Sequence, residues 1–148
     1  MKITIRKADQ ADLPAILDLV KELAVYEKAA DQVTATLEDY ENAFSENIFE
    51  SQVAELDGKV VGMTLYYMSY STWRGKMLFL EDFVIFKEYR NLGIGQLLFD
   101  AFLEEARSKK VAMVKWQVLD WNEPAIKFYE KNKAIIDKGW WNVKMFFK

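Results

Sequence analysis

Polar and apolar residues alternate over residues 2–7, and this period of two predicts a first strand. The period then changes. Leu13, Ile16, Leu17, Val20, Leu23 and Ala24 recur at helical spacing and define one apolar face, with start signals at Asp9 to Asp12 and Pro14 in the first turn. Residues 28–35 are a polar connection. Thr36 followed three residues later by Asp39 is a capping-box variant that opens a second helix. Residues 51–56 and 59–70 read as strands joined at Asp57-Gly58, a strong hairpin signal. A turn at residues 71–75 leads into a further strand over 76–86. Leu97, Leu98, Ala101, Phe102 and Ala106 predict a helix ending in the basic run 107–110, where positive charge suits the helix dipole. Residues 112–119 predict another strand. Asn122 is a good N-cap, with Pro124 in the first turn of a helix running to about Lys131. Residues 134–147, rich in Trp, Val and Phe, predict the last strands.

Hairpin-linked strands argue against a doubly wound parallel sheet. The 148 residues suit one domain, 1–148, with one core, and the hydrophobic share of 51% can fill it. Composition narrows the chemistry by exclusion. There is no cysteine and no histidine, so no disulfide framework, no thiol nucleophile and no Ser-His-Asp or Cys-His catalysis is expected, and no metal site. A general base must be a carboxylate, a lysine, a tyrosine or water. The net charge of −3 is spread among mixed signs, so no nucleic-acid partner is expected. The N-terminal stretch lacks the apolar core of a signal peptide, and no run reaches the length of a membrane span. The expectation is a cytoplasmic protein with no membrane partner.

The informative stretch is residues 80–96. Leu80, Phe83, Val84, Ile85 and Phe86 suit a buried strand; Arg90-Asn91-Leu92-Gly93-Ile94-Gly95 is a glycine-rich turn; the helical run follows. The first N–H groups of a helix lack internal partners and carry partial positive charge, and glycines let a phosphate approach them. The turn is not the dinucleotide fingerprint, because position 98 is Leu, nor a P-loop, because no Gly-Lys-Ser/Thr follows.

The R-x-x-G-x-G of residues 90–95 resembles the acetyl-CoA pyrophosphate motif of the GCN5-related N-acetyltransferase (GNAT) superfamily. Residues 121–129, WNEPAIKFY, resemble its second cofactor motif. The surrounding wording is similar to the spermidine/spermine (diamine) acetyltransferase branch, as are residues 5–8 and 21–27, so the resemblance covers most of the chain. It implies an α/β (α+β) fold: a mixed, mostly antiparallel central sheet, split between its central strands, with helices on both faces. It also implies acetyl-CoA as co-substrate, a small amine as acceptor, and a homodimer.

The resemblance implies site residues as well. Cofactor contacts fall to Phe83, Val84 and Ile85, to Arg90, Asn91, Leu92, Gly93, Ile94, Gly95 and Gln96, and to Asn122, Glu123, Pro124, Ala125 and Lys131. Glu81 is the expected base, acting through an ordered water, and Tyr129 the acid that serves the departing thiolate. Tyr26, Glu27, Glu81, Asp82, Lys115, Trp116 and Gln117 are the expected amine contacts. Strand alternation predicts that Glu81 and Asp82 face opposite ways unless a bulge intervenes. Two departures from the branch bear on specificity: Lys138 where an acidic residue is usual, and Lys133 where glycine is usual. The leading expectation is transfer of an acetyl group to a small polyamine or diamine by direct attack in a ternary complex. The alternatives are another amine (a lysine analogue, a protein N-terminus, an aminoglycoside) or a non-catalytic acyl-CoA-binding module.

Overall fold

The alternating segments form one five-stranded sheet in the order β1-β2-β3-β4-β5. β1 (Ile3–Lys7), β2 (Glu50–Leu56), β3 (Lys59–Ser71) and β4 (Gly75–Ile85) are antiparallel neighbours, and β5 (Met113–Lys115) runs parallel to β4. The computed structural model of the chain describes residues 2–148, which fall into two units, 2–117 and 118–148. The sheet belongs to the first. Asp57 (φ 52°) and Gly58 (φ 86°) both adopt positive φ in the β2–β3 turn, as the twist of a tight hairpin requires.

Alternation along the strands feeds a core on each face of the sheet. α1 (Leu13–Tyr26) and α2 (Leu37–Ser45) cover one face, where Leu13, Ile16 and Leu19 meet Val53, Met63, Leu65 and Val84. α3 (Ile94–Ser108) covers the other, packing Leu98, Phe102 and Ala106 against Ala54, Val61, Tyr66, Leu78 and Leu80. The capping box at α2 forms as the sequence predicts: Thr36 Oγ1 accepts from the Asp39 N–H, and Asp39 accepts from the Thr36 N–H. Among the described residues no helix is long and apolar enough to cross a membrane.

The strand expected over 112–119 is shorter than its pattern suggested. Its ladder with β4 runs from Met77↔Met113 to Phe79↔Lys115 and stops. Beyond Phe79, β4 has no strand paired on that side within the first unit, although β3 stays paired with it to Ile85. This is the expected split in the sheet.

The second unit carries α4 (Glu123–Lys131), capped by Asn122, whose side chain accepts from the Ala125 N–H at 3.4 Å. The strands expected over 134–147 are not found: residues 134–148 form no ladder with one another. β-propensity there has no partner strand within the unit to act on.

Among the described residues the four α-helices end alike. Lys28, Asn47, Lys110 and Lys133 sit at φ 60°, 58°, 57° and 65°, each just past a helix C-terminus. At α4 the Ala134 N–H reaches Tyr129 O at 3.0 Å and the Lys133 N–H reaches Glu130 O at 2.9 Å, the Schellman pattern that satisfies the last carbonyls. The glycine usual at position 133 in the resembling branch therefore answers a left-handed backbone, and the lysine bears that strain while its charge complements the helix dipole. Lys133→Gly is expected to stabilise the protein by roughly 1 kcal/mol, read as a higher urea midpoint with unchanged amine preference. An altered preference would instead give Lys133 a part in specificity.

Candidate active site

β4 contains a bulge. Leu65 pairs with Asp82 and Tyr66 with Leu80, so Glu81 has no counterpart on β3. Before the bulge Leu78 and Leu80 point to the α3 face; after it, Phe83 and Ile85 do, and Val84 turns to the α1/α2 face. The extra residue resets the alternation between Leu80 and Phe83. Both Glu81 and Asp82 consequently serve the α1/α2 side. Tyr67, packed on that side, donates its phenol O–H to Glu81 Oε1 at 2.9 Å. Asp82 acts electrostatically on Tyr40 of α2, which belongs to the same layer. Opposite facing, the outcome of unbroken alternation, is overturned by the bulge.

The acids that gather here are Glu81, Asp82 and Glu27 at the end of α1. Burial, then the charges of Glu81 and Glu27, push the Asp82 carboxyl up from the ordinary carboxylate range to about 7. Burial also raises Glu27. Tyr40 is pushed up to about 12 by burial and then by Asp82 and Glu81; Tyr67 reaches about 12 through burial and its bond to Glu81. Both phenols therefore remain protonated at neutral pH. The cluster has the two properties an amine site needs: negative charge to attract an ammonium, and a carboxyl that exchanges a proton near neutrality.

The same strand runs on from Phe83, Val84 and Ile85 to the glycine turn. Asn91 (φ 64°) and Gly93 (φ 82°) both take positive φ, and Gly93 is the N-cap of α3 with no side chain capping it. A Cβ built on Gly93 meets no atom within 4 Å, whereas one on Gly95 would touch Ile85 Cδ1 at 3.4 Å. Gly93 thus answers backbone conformation, and Gly95 the close packing of α3 on β4. Leu92 is exposed, Ile94 is buried as the anchor of the first turn, and Gln96 donates to Asp100 at 2.8 Å. Arg90 folds back: its Nε donates to Ile85 O at 3.1 Å, its guanidinium lies 5.6 Å from the Tyr26 ring centroid, and Glu22 approaches to 4.0 Å. An uncapped helix N-terminus beside an arginine, with open space above the glycine, fits a phosphate-bearing chain. The main chain of β4 beyond Phe79, past the end of the β5 ladder, suits an amide-containing one.

Other predicted residues are placed differently. Tyr26 lies under Arg90 at the end of α1. Lys115 ends β5 on an exposed position, Trp116 packs edge-on against Phe99 (5.6 Å, 81°) in the α3 core, and Gln117 closes the first unit. In the second unit, Asn122, Glu123, Pro124 and Ala125 form the start of α4. Tyr129 is buried on that helix with its ring 5.8 Å from Phe128, and Lys131 is its last residue. The candidates missed in the sequence are Tyr40 and Tyr67. Tyr66 and Tyr67 are adjacent on β3 and point to opposite faces. Tyr66 donates to Glu105 of α3 at 2.9 Å, and Tyr67 to Glu81. The period of two could have separated them, but only the bulge puts a carboxylate within reach of Tyr67.

Comparison with known proteins identifies the family. Residues 13–133 match the acetyltransferase (GNAT) family. The thialysine N-epsilon-acetyltransferase of Bos taurus is 38% identical over 138 residues, spanning 86% of this chain and 81% of the bovine protein. The spermidine/spermine N(1)-acetyltransferase-like protein 1 of Homo sapiens is 34% identical over 92% of this chain, a match to 21% of the human protein. Among solved structures, an aminoglycoside acetyltransferase from an uncultured soil metagenomic sample superimposes with a TM-score of 0.81, covering 99% of this chain and 97% of its own, at 20% identity, a likeness of fold. The chain belongs to the acetyltransferase (GNAT) family and is an N-acetyltransferase.

Proposed function

We propose that the enzyme moves an acetyl group from acetyl-CoA to the primary amine of a small polyamine, diamine or lysine-like compound, by direct attack in a ternary complex. The observation that carries this reading is the bulge: it gathers two carboxylates on one face of the strand that continues into the glycine turn. Bound acetyl-CoA supplies a thioester carbonyl open to attack. The turn from Arg90 to Gln96 holds the phosphates, and the main chain of Phe83, Val84 and Ile85 holds the arm; Asn122, Glu123, Pro124, Ala125 and Lys131 are assigned to the cofactor by the resemblance. An alkyl ammonium titrates near ~10.4 and must lose a proton before it attacks. The Glu81–Asp82 pair takes that proton, directly or through water, and Glu27 and Tyr26 receive the charged remainder of the substrate. Lys115, Trp116 and Gln117 belong to the acceptor side in the resembling branch and are assigned there. Tyr129 donates to the sulfur that leaves. No covalent acetyl-enzyme is expected, because the chain has neither Cys nor His.

A short or amino-acid-like acceptor is favoured within this class. The bovine relative acts on thialysine, and Lys138 stands where the polyamine branch usually carries an acid. We take the two units as one domain, since the family match runs through both. We also take the enzyme as a homodimer: Trp140, Trp141, Val143, Met145, Phe146 and Phe147 lie exposed, a surface a second copy would cover.

Free-thiol release from acetyl-CoA, measured against putrescine, spermidine, spermine, thialysine, lysine, a peptide and an aminoglycoside, tests the reading. Turnover is expected with the diamine and lysine-like compounds, with intersecting initial-rate lines. Parallel lines would point to an acetyl-enzyme. Tight CoA binding with no release for any amine would favour the binding module.

A further inference from the structure

We propose that Tyr67 is a positioning residue of this site: its phenol, fixed by stacking on Phe79, holds the Glu81 carboxylate in one orientation toward the incoming amine. The proposal rests on the reading above and adds a residue to it.

The bulge takes Glu81 out of register with β3, so sheet pairing does not orient its side chain. A solvent-exposed glutamate left to itself samples many rotamers. Tyr67 removes that freedom. Its ring stacks on Phe79 of the neighbouring strand, with centroids 5.5 Å apart and planes 21° from parallel. Tyr67 also pairs directly with Phe79 in the β3–β4 ladder. A rigid ring on a central strand thus presents its O–H to Glu81 Oε1 at 2.9 Å.

Two carboxylates on successive residues of one face repel each other, and the second is harder to ionise than the first. Which of them keeps the proton depends on what surrounds each. The Tyr67 phenol, pushed up to about 12, stays protonated and acts as a donor to Glu81 throughout the working range. Asp82 is the more buried of the two and faces the charges of Glu81 and Glu27. The groups that face the pair from other elements are Tyr67 of β3, Tyr40 of α2 and Glu27 at the end of α1. Both burial and charge therefore direct the proton to Asp82, and Tyr67 fixes the Glu81 oxygen that accepts its O–H. The result is an oriented anion to meet the incoming ammonium, with an acid beside it that ionises only as that positive charge arrives.

Tyr67→Phe keeps the stack and removes the hydroxyl. The test is ¹³C NMR of the full-length protein, reading the three-bond side-chain couplings of Glu81 and the pH midpoint of Asp82, with thermal unfolding as the check on folding. In the wild type, the Glu81 couplings should report one rotamer. In Tyr67→Phe they should average over several rotamers, and kcat/KM for the amine should fall about tenfold while the KM for acetyl-CoA stays. Glu81 couplings that do not change overturn the proposal. Glu81→Gln gives a second check: the Asp82 midpoint should drop toward the ordinary carboxylate range, and a midpoint that stays put shows that the two are not coupled and also overturns it. The couplings are read without turnover. A wild type that releases no thiol therefore counts against the reaction alone, and unchanged Glu81 couplings in an active enzyme count against Tyr67 alone.

Discussion

Replacing Tyr129 with phenylalanine is expected to lower kcat by about 10²- to 10⁴-fold, the span that general acid catalysis commonly contributes, while the affinity for acetyl-CoA changes little. The sulfur that leaves the thioester is a thiolate whose conjugate acid titrates near ~8.5, and a phenol titrates near ~10. Full transfer is therefore uphill by roughly 2 kcal/mol, small beside the cost of expelling an unprotonated thiolate, and the phenol regains its proton from solvent. The substitution deletes one hydroxyl from a buried ring on α4 and leaves the ring contact with Phe128 in place. The Schellman end of the helix uses the main-chain carbonyl of Tyr129, so the variant retains it. Binding of CoA measured by calorimetry, beside single-turnover thiol release, separates the two effects. Equal loss of affinity and rate would give Tyr129 a role in holding the cofactor. An unchanged rate would remove it from the chemistry.

The elements that position this site were legible wherever the signal is local. Thr36 with Asp39, Asp57 with Gly58, and Asn122 with Pro124 each specify a cap or a turn through neighbouring residues, and each appears as expected. The helix after the glycine turn was legible because its apolar period is long. What was not legible depends on partners far along the chain. Nothing in the run from Leu80 to Phe83 announces a bulge: the insertion is defined by where β3 places Leu65 and Tyr66, some fifteen residues earlier on a different strand. Without the bulge, Tyr67 has no reason to stand out from its neighbour Tyr66. The length of β5 is similarly a matter of pairing. Residues 112–119 have the composition of a strand, but the ladder with β4 ends at Lys115 where the sheet splits. The same holds for 134–147, whose composition promises strands that no ladder within the second unit provides. The left-handed residues at the helix ends were partly visible: the glycine usual at position 133 marked one, and three of the four are lysines that composition alone reads as ordinary surface charge.

Removing either carboxylate of the pair, by Glu81→Gln or Asp82→Asn, is expected to lower kcat/KM for the amine by about 10²- to 10³-fold at pH 7. The double variant should be little worse than the poorer single one, because residues that act as a unit are not additive. The deficit should shrink as pH approaches ~10, where much of an alkyl amine is already unprotonated and needs no base. A deficit that stays constant with pH would make the pair a binding feature only. Stability supplies an independent sign. Asp82 is raised to about 7 by burial and by Glu81 and Glu27, so between about pH 4 and pH 7 the folded protein holds a proton that the unfolded chain releases. Folding is then favoured at low pH by this group, and that contribution is lost as pH rises through the folded value. Asp82→Asn removes the dependence: relative to the wild type, the variant should gain stability progressively from about pH 4 to pH 7 and level off above, by up to ~4 kcal/mol. Asp12, Glu50 and Glu105, all held low by cationic partners, act in the opposite direction in the acid range. They are common to both proteins and cancel in the difference. Urea midpoints of wild type and variant from pH 4 to pH 9 measure it. A difference that does not vary over that range would mean that Asp82 is ionised at neutral pH, and the base would then be an ordinary carboxylate acting through water.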